Sequence, residues 1–186
     1  MLQAIIFDVG GVLIRTHDWA GRQKWAARLG LAAAEFEDFV FNGTSGRQAQ
    51  LGLMTAATHW QGLARHFGLD EALVDYIKRL RQAGYRTGLL SNAPDDARRL
   101  LTEDYPIIDY FDGVIISAEV GVMKPDPKIY QLAAASVGVT VEEALFVDDV
   151  MANVAGARAV GMAALHFRDP VLVQTQLAEL TGVRGQ

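Results

Sequence analysis

Five short apolar runs, most of them ending in a polar residue, constrain this chain more than any other feature. Residues 4–7 run into Asp8, 87–90 into Ser91 and Asn92, 113–116 into Ser117, and 144–147 into Asp148 and Asp149; residues 162–167 make the fifth. None alternates polar with apolar residues. Each therefore predicts a strand covered on both faces, which is the pattern of a parallel sheet. Amphipathic helical patterns lie between them, at 70–83, 95–101, 126–137, 151–160 and from Asp169 to about 180. Asp70 stands where a helix cap belongs, and Thr140 to Glu143 reads as a capping box on a short turn. Strand alternating with helix predicts an α/β fold, a doubly wound, Rossmann-like parallel sheet of about five strands.

One interval breaks the alternation. Between the first strand and the strand at 87–90 lie helical patterns at 20–29, 33–41 and 55–67, more than one crossover needs. Residues 15–69 are thus expected to form a small helical cap inserted into a core of 1–14 and 70–186. Trp19, Trp25, Phe36, Phe39, Trp60 and Phe67 would pack its interior. Only Gly68 and Leu69 would lead back to the core, which implies a stiff hinge, and an exposed apolar cap edge could support a homodimer.

Composition removes whole classes of function. With 186 residues, 51% of them hydrophobic, the chain can bury a core, and intrinsic disorder is excluded. There is no cysteine, so disulfides, thiolate zinc sites and a cysteine nucleophile are ruled out. The net charge of −5 without a long basic run argues against nucleic acid. The start lacks a secretory pattern and no apolar run approaches a membrane span, so the expectation is a cytoplasmic protein with no membrane partner.

Open α/β sheets put their sites at the carboxyl ends of the strands. There this chain delivers Asp8, Gly10, Ser91, Asn92, Asp148 and Asp149, and the loop after the third core strand carries Lys124. Crowded carboxylates repel, and a bound cation is the usual remedy. Oxygen ligands without Cys or His favour Mg2+ over zinc. A lysine and a hydroxyl beside such a site suit a phosphoryl group. Of the histidines, His59 and His66 fall on a helical pattern of the insertion, and His166 ends the fifth strand, where it reads as structural. Arg47 of the insertion could meet a substrate anion.

In order along the chain, residues 7–13 (Phe-Asp-Val-Gly-Gly-Val-Leu), 90–92 (Leu-Ser-Asn), 124–126 (Lys-Pro-Asp) and 147–149 (Val-Asp-Asp) resemble the four motifs of the haloacid dehalogenase-like hydrolase superfamily. Asn153, Gly156 and Ala157 are similar to its helix after the fourth motif. The resemblance implies a hydrolase. Asp8 would attack phosphorus and carry an aspartyl-phosphate. Ser91, with Asn92 beside it, would bind phosphoryl oxygens, and Lys124 would neutralise charge. Mg2+ would sit on Asp8, the Gly10 carbonyl and Asp149, with Asp148 a ligand directly or through water. The substrate would be a small phosphorylated metabolite.

One position departs from the pattern. The family's phosphatases usually carry a second Asp two residues after the nucleophile, as acid and base; here it is Gly10, and losing such a group costs about 10² to 10⁴ in rate. His17 or Asp18 could substitute. Two other readings follow: a 2-haloacid dehalogenase-type hydrolase, which needs no second Asp, and a degenerate protein that binds a phosphorylated ligand or a partner.

Overall fold

The computed structural model describes residues 1–16, 50–52 and 67–185. Five parallel strands form the central sheet in the order β5-β4-β1-β6-β7: β1 Ala4–Phe7, β4 Arg86–Ser91, β5 Gly113–Ile116, β6 Ala144–Asp148 and β7 Ala163–His166. All five stand where the apolar runs predict them. The fold is the expected α/β parallel sheet, and the order reverses at β1, which puts the switch point beside Asp8.

Alternate residues of β1 serve opposite core layers. Ile5 and Phe7 pack with Leu73, Ile77 and Leu80 of helix α1 (Glu71–Gln82) and Val173 and Leu177 of α6 (Pro170–Thr181). Ala4 and Ile6 pack with Ile129, Tyr130 and Ala133 of α4 (Pro127–Ser136) and Val154 and Ala157 of α5 (Met151–Ala159). Every β1 side chain is fully buried, which is why the run is apolar without alternation. Between β4 and β5 the short helix α2 (Ala97–Arg99) continues into a wider turn over Leu100–Asp104, and α3 (Ser117–Val120) follows β5.

The expected cap at Asp70 and the capping box at Thr140 to Glu143 are present, and Asp126 and Asp169 cap their helices as well. Asp70 accepts from the Leu73 N–H at 3.0 Å, Asp126 from the Lys128 N–H at 2.9 Å, and Asp169 from the N–H groups of Val171 and Leu172. Glu143 accepts from the Thr140 N–H at 3.0 Å and closes the short turn before β6.

Two strands are absent from the sequence reading. β2 (Ile14–Thr16) and β3 (Phe67–Leu69) pair antiparallel, with Ile14 opposite Leu69 and Thr16 opposite Phe67. Residues 68 and 69, expected as a bare connection, are thus half of a two-stranded ribbon. Three residues containing a glycine carry too little periodicity to register as a strand. The chain's departure at 14–16 and its return at 67–69 are held together by this pairing. The expected cap helices, their aromatic residues, His17, Asp18, Arg47, His59 and His66 lie outside the described residues. Among the described residues, no helix is long and apolar enough to cross a membrane.

Candidate active site

Sheet register assembles the site. Phe7 pairs with Leu89 on one side and Val147 on the other, so the next residues, Asp8, Leu90 and Asp148, form one row at the carboxyl edge. The Asp8 N–H donates to the Val147 carbonyl at 2.9 Å, extending the ladder one step beyond β1. One oxygen each from Asp8, Asp148 and Asp149 lies within 4.8 Å of the others.

Lys124 is the centre of this row. Its side chain is 1% exposed, and Nζ lies 2.8 Å from Asp8 Oδ1, 2.7 Å from Asp148 Oδ2 and 3.2 Å from the Leu90 carbonyl. These three acceptors match the three N–H bonds of an ammonium. The Nζ also stands 5.3 Å from the centroid of the Phe146 ring. Asn92 holds the lysine's backbone: its Nδ2 donates to the Lys124 carbonyl at 3.0 Å, and its Oδ1 accepts from the Lys124 N–H at 2.8 Å. Asn92, expected beside Ser91 at the phosphoryl group, thus spends its amide on the loop that carries Lys124.

Asp148 is wholly buried and saturated. Oδ2 accepts from Lys124 and Oδ1 from the Val150 N–H at 2.7 Å, while Asn153 Nδ2 lies 3.1 Å from both oxygens. Tyr130 in turn donates to the Asn153 carbonyl at 2.8 Å, and its ring meets Phe146 edge-on. Asp149 is the opposite case: it is exposed, with its carboxylate toward Asp8. On Asp8, Oδ1 takes both Lys124 and the Val9 N–H at 2.8 Å, which leaves Oδ2 for chemistry. Ser91 ends β4 in the next row, 5% exposed.

The two glycines after Asp8 differ. A Cβ at Gly10 would meet nothing within 4 Å, so the position usually held by a second Asp faces open space. Gly11 has φ +75°, and a Cβ there would stand 2.0 Å from Asp149 Oδ2. The backbone at Gly11 is what lets the Asp149 carboxylate come down onto the site.

Three carboxylates share one ammonium, and the acidities of Asp8 and Asp149 are perturbed. Burial pushes Asp8 above the ordinary carboxylate range; Lys124 opposes this, and Asp148 and Asp149 add to it. Asp149 is exposed as a residue, but its carboxylate is largely withdrawn from water over Gly11; that burial, and then Asp148, push it up to about 6. For Lys124, burial works against the charged form, but Asp8 and Asp148 outweigh it and raise its pKa. A divalent cation against Asp8 and Asp149 would stabilise their charged forms against both burial and mutual repulsion, so the donor set fits magnesium.

Asn153, which the sequence offered only as part of the helix after the fourth motif, donates to Asp148. Sequence reasoning missed two contributors. Tyr130 acts through Asn153 and carries no signal of its own. Ser117, fully buried at the end of β5, donates to the Gln50 carbonyl and accepts from the Ala93 N–H at 3.0 Å, tying residues 50–52 to the loop after Asn92. It stands at a strand's carboxyl end, and that placement alone could have marked it.

A family model for haloacid dehalogenase-like hydrolases matches residues 2–161. The chain is 30% identical over 188 residues, 88% of its length and 86% of the relative's, to a phosphatase of Mycobacterium tuberculosis. It is 27% identical over 198 residues, 97% of both chains, to a sesquiterpene phosphatase of Aspergillus oryzae. A predicted haloacid dehalogenase-like hydrolase from Porphyromonas gingivalis superposes with a TM-score of 0.75 at 25% identity, over 95% of this chain and 98% of the other. A family enzyme from Bacteroides thetaiotaomicron, solved with magnesium and inorganic phosphate, shares the fold with a TM-score of 0.71 at 23% identity, over 91% and 96% of the two chains. This chain belongs to the haloacid dehalogenase-like hydrolase family, and it is a hydrolase.

Proposed function

We propose that this hydrolase is a magnesium-dependent phosphomonoesterase for small phosphorylated metabolites, with Asp8 as its nucleophile. The observation that carries the reading is Lys124 Nζ seated between Asp8 and Asp148, with Asp149 completing a carboxylate cluster within 4.8 Å. The phosphatase relatives favour phosphorus over carbon–halogen chemistry, and a cluster with two further carboxylates is more than a metal-free dehalogenase needs.

In the first step an oxygen of Asp8 bonds to phosphorus while the bond from phosphorus to the leaving oxygen breaks. Lys124 offsets the charge on Asp8 and on the phosphoryl oxygens, and the Ser91 hydroxyl would donate to those oxygens. Asn92 and Asp148 keep Lys124 in place. Magnesium, held by Asp8, the Gly10 carbonyl and Asp149, would supply charge neutralisation at the phosphoryl group. Asp148, with both oxygens engaged, fits a positioning role better than a ligand's. Water then hydrolyses the aspartyl-phosphate, restoring Asp8 and releasing inorganic phosphate. Gly10 offers no proton to a leaving alkoxide, so aryl and acyl phosphates, which leave without one, are the better substrates. We assign the selection among them to residues 15–69, which the sequence reads as a cap on a core of 1–14 and 70–186.

Turnover of an aryl phosphate with magnesium and with excess chelator tests the reading. Magnesium-dependent turnover that Asp8→Asn abolishes supports it. Full activity in chelator overturns it and favours the dehalogenase-type alternative.

A further inference from the structure

The peptide unit that joins Asp149 to Val150 is held at both ends. Its N–H, on Val150, donates to Asp148 Oδ1 at 2.7 Å. Its carbonyl, on Asp149, lies 2.9 Å from His166 Nε2. The imidazole's other nitrogen, Nδ1, accepts from the guanidinium Nε of Arg168 at 3.0 Å. A ring nitrogen that accepts from Arg168 carries no proton, so the proton is on Nε2 and His166 donates to the Asp149 carbonyl. One step further along, the Phe167 N–H donates to the Asp148 carbonyl at 2.9 Å. The end of β7 thus holds consecutive carbonyls of the acidic pair.

From this geometry we infer that His166, aligned by Arg168, is a positioning residue for Asp149 and sets magnesium affinity without touching the metal. Asp149 lies between β6 and α5, outside both elements. Fixing the plane of its following peptide fixes ψ at Asp149 and hence the direction of its Cα–Cβ bond. Asp149 is exposed as a residue, and its carboxylate rests over Gly11, which has no side chain to hold it. Its aim toward Asp8 therefore depends on the backbone clamp, and half of that clamp is His166. The inference rests on the magnesium reading proposed above.

Calorimetric titration with Mg2+ tests it without any substrate, on the full chain and on His166→Ala, His166→Gln and Arg168→Ala. Outer-sphere partners of metal ligands typically change affinity by about 10- to 100-fold. His166→Ala is expected at the lower end, a Kd about tenfold higher, because it acts on a carbonyl and not on the carboxylate. Glutamine can place an amide N–H near the same carbonyl, so His166→Gln should recover most of the affinity. Arg168 is exposed and its loss does not threaten folding; Arg168→Ala should raise the Kd several-fold, in the same direction. A wild-type chain that binds no Mg2+ removes the metal reading and this inference with it. Wild-type binding with unchanged Kd in His166→Ala and Arg168→Ala overturns this inference alone and leaves the metal reading standing.

Discussion

Asp148 and Asp8 both pair with Lys124, yet their replacement by asparagine should change stability in opposite directions. Asp148 is 0% exposed, and every group facing its carboxylate is a donor: Lys124, the Val150 N–H and Asn153 Nδ2. An asparagine there must turn its own NH2 toward one of these donors. It also takes a full negative charge from a buried ammonium. Removing one partner of a buried ion pair typically costs about 3–5 kcal/mol. Asp148→Asn keeps the shape and one good acceptor, so about 3 kcal/mol is expected. Asp8 differs because its ionised form is disfavoured in the metal-free fold, with a pKa raised from 3.8 to about 8. A carboxyl whose folded pKa is raised contributes its stability below the unfolded value and loses it as pH rises toward the folded one. Between about pH 4 and 8 the ionisation of Asp8 therefore works against folding, and Asp8→Asn removes that penalty. The variant should be more stable than wild type in chelator, by about 1 kcal/mol near neutral pH, with the gain growing toward pH 8. Urea unfolding of the three proteins at pH 6 and pH 8, in chelator, measures both effects. Equal destabilisation by the two substitutions, or a loss below about 1 kcal/mol for Asp148→Asn, would refute the division into a structural and a functional carboxylate.

The remaining predictions concern the glycines and the metal. Because Gly10 faces open space, Gly10→Asp should fold with stability close to wild type and should raise turnover of alkyl phosphates toward the 10²- to 10⁴-fold range typical of general acid–base catalysis; steady-state kinetics on alkyl and aryl phosphates would show it, and no gain on alkyl esters would mean another group already supplies the proton. Gly11→Ala should cost about 1–2 kcal/mol from the left-handed backbone alone and displace Asp149, so Mg2+ affinity measured by calorimetry should fall sharply; unchanged affinity would separate Asp149 from the metal. Protons compete with magnesium for the carboxylates, so Kd should rise as pH falls, by about tenfold per unit below pH 8 where Asp8 takes up its proton and more steeply below pH 6 where Asp149 does; a flat profile from pH 5 to 8 would contradict both shifts.

What the chain determined on its own was whatever depends on local pattern. An apolar run buried on both faces reads as a parallel strand without any partner in view, and the strands of residues 4–7, 86–91, 113–116, 144–148 and 163–166 stand where their runs put them. The rule that α/β sheets work at their carboxyl edge then placed Asp8, Ser91, Asp148 and Asp149 on one rim, and the structure brings the three acids together. Helix starts were equally legible, since a cap such as Asp70 or Asp169 acts within three residues of itself. Pairing at a distance was not. The ribbon of residues 14–16 and 67–69 arises only when two segments some fifty residues apart meet, and neither half carries a strand's periodicity. The division of labour at the site was hidden for the same reason. Asp148 and Asp149 are neighbours in the chain and identical as residues. Only tertiary structure buries the first among the donors of Lys124 and Asn153 and leaves the second open above Gly11. Asn92 reads as a partner of Ser91 until the fold lays the Lys124 backbone against its amide, and His166 as a strand end until β7 sets it beside the Asp149 carbonyl. Residue types announce which charges a site will contain; how each charge is solvated, and so what it does, depends on neighbours that the fold alone supplies.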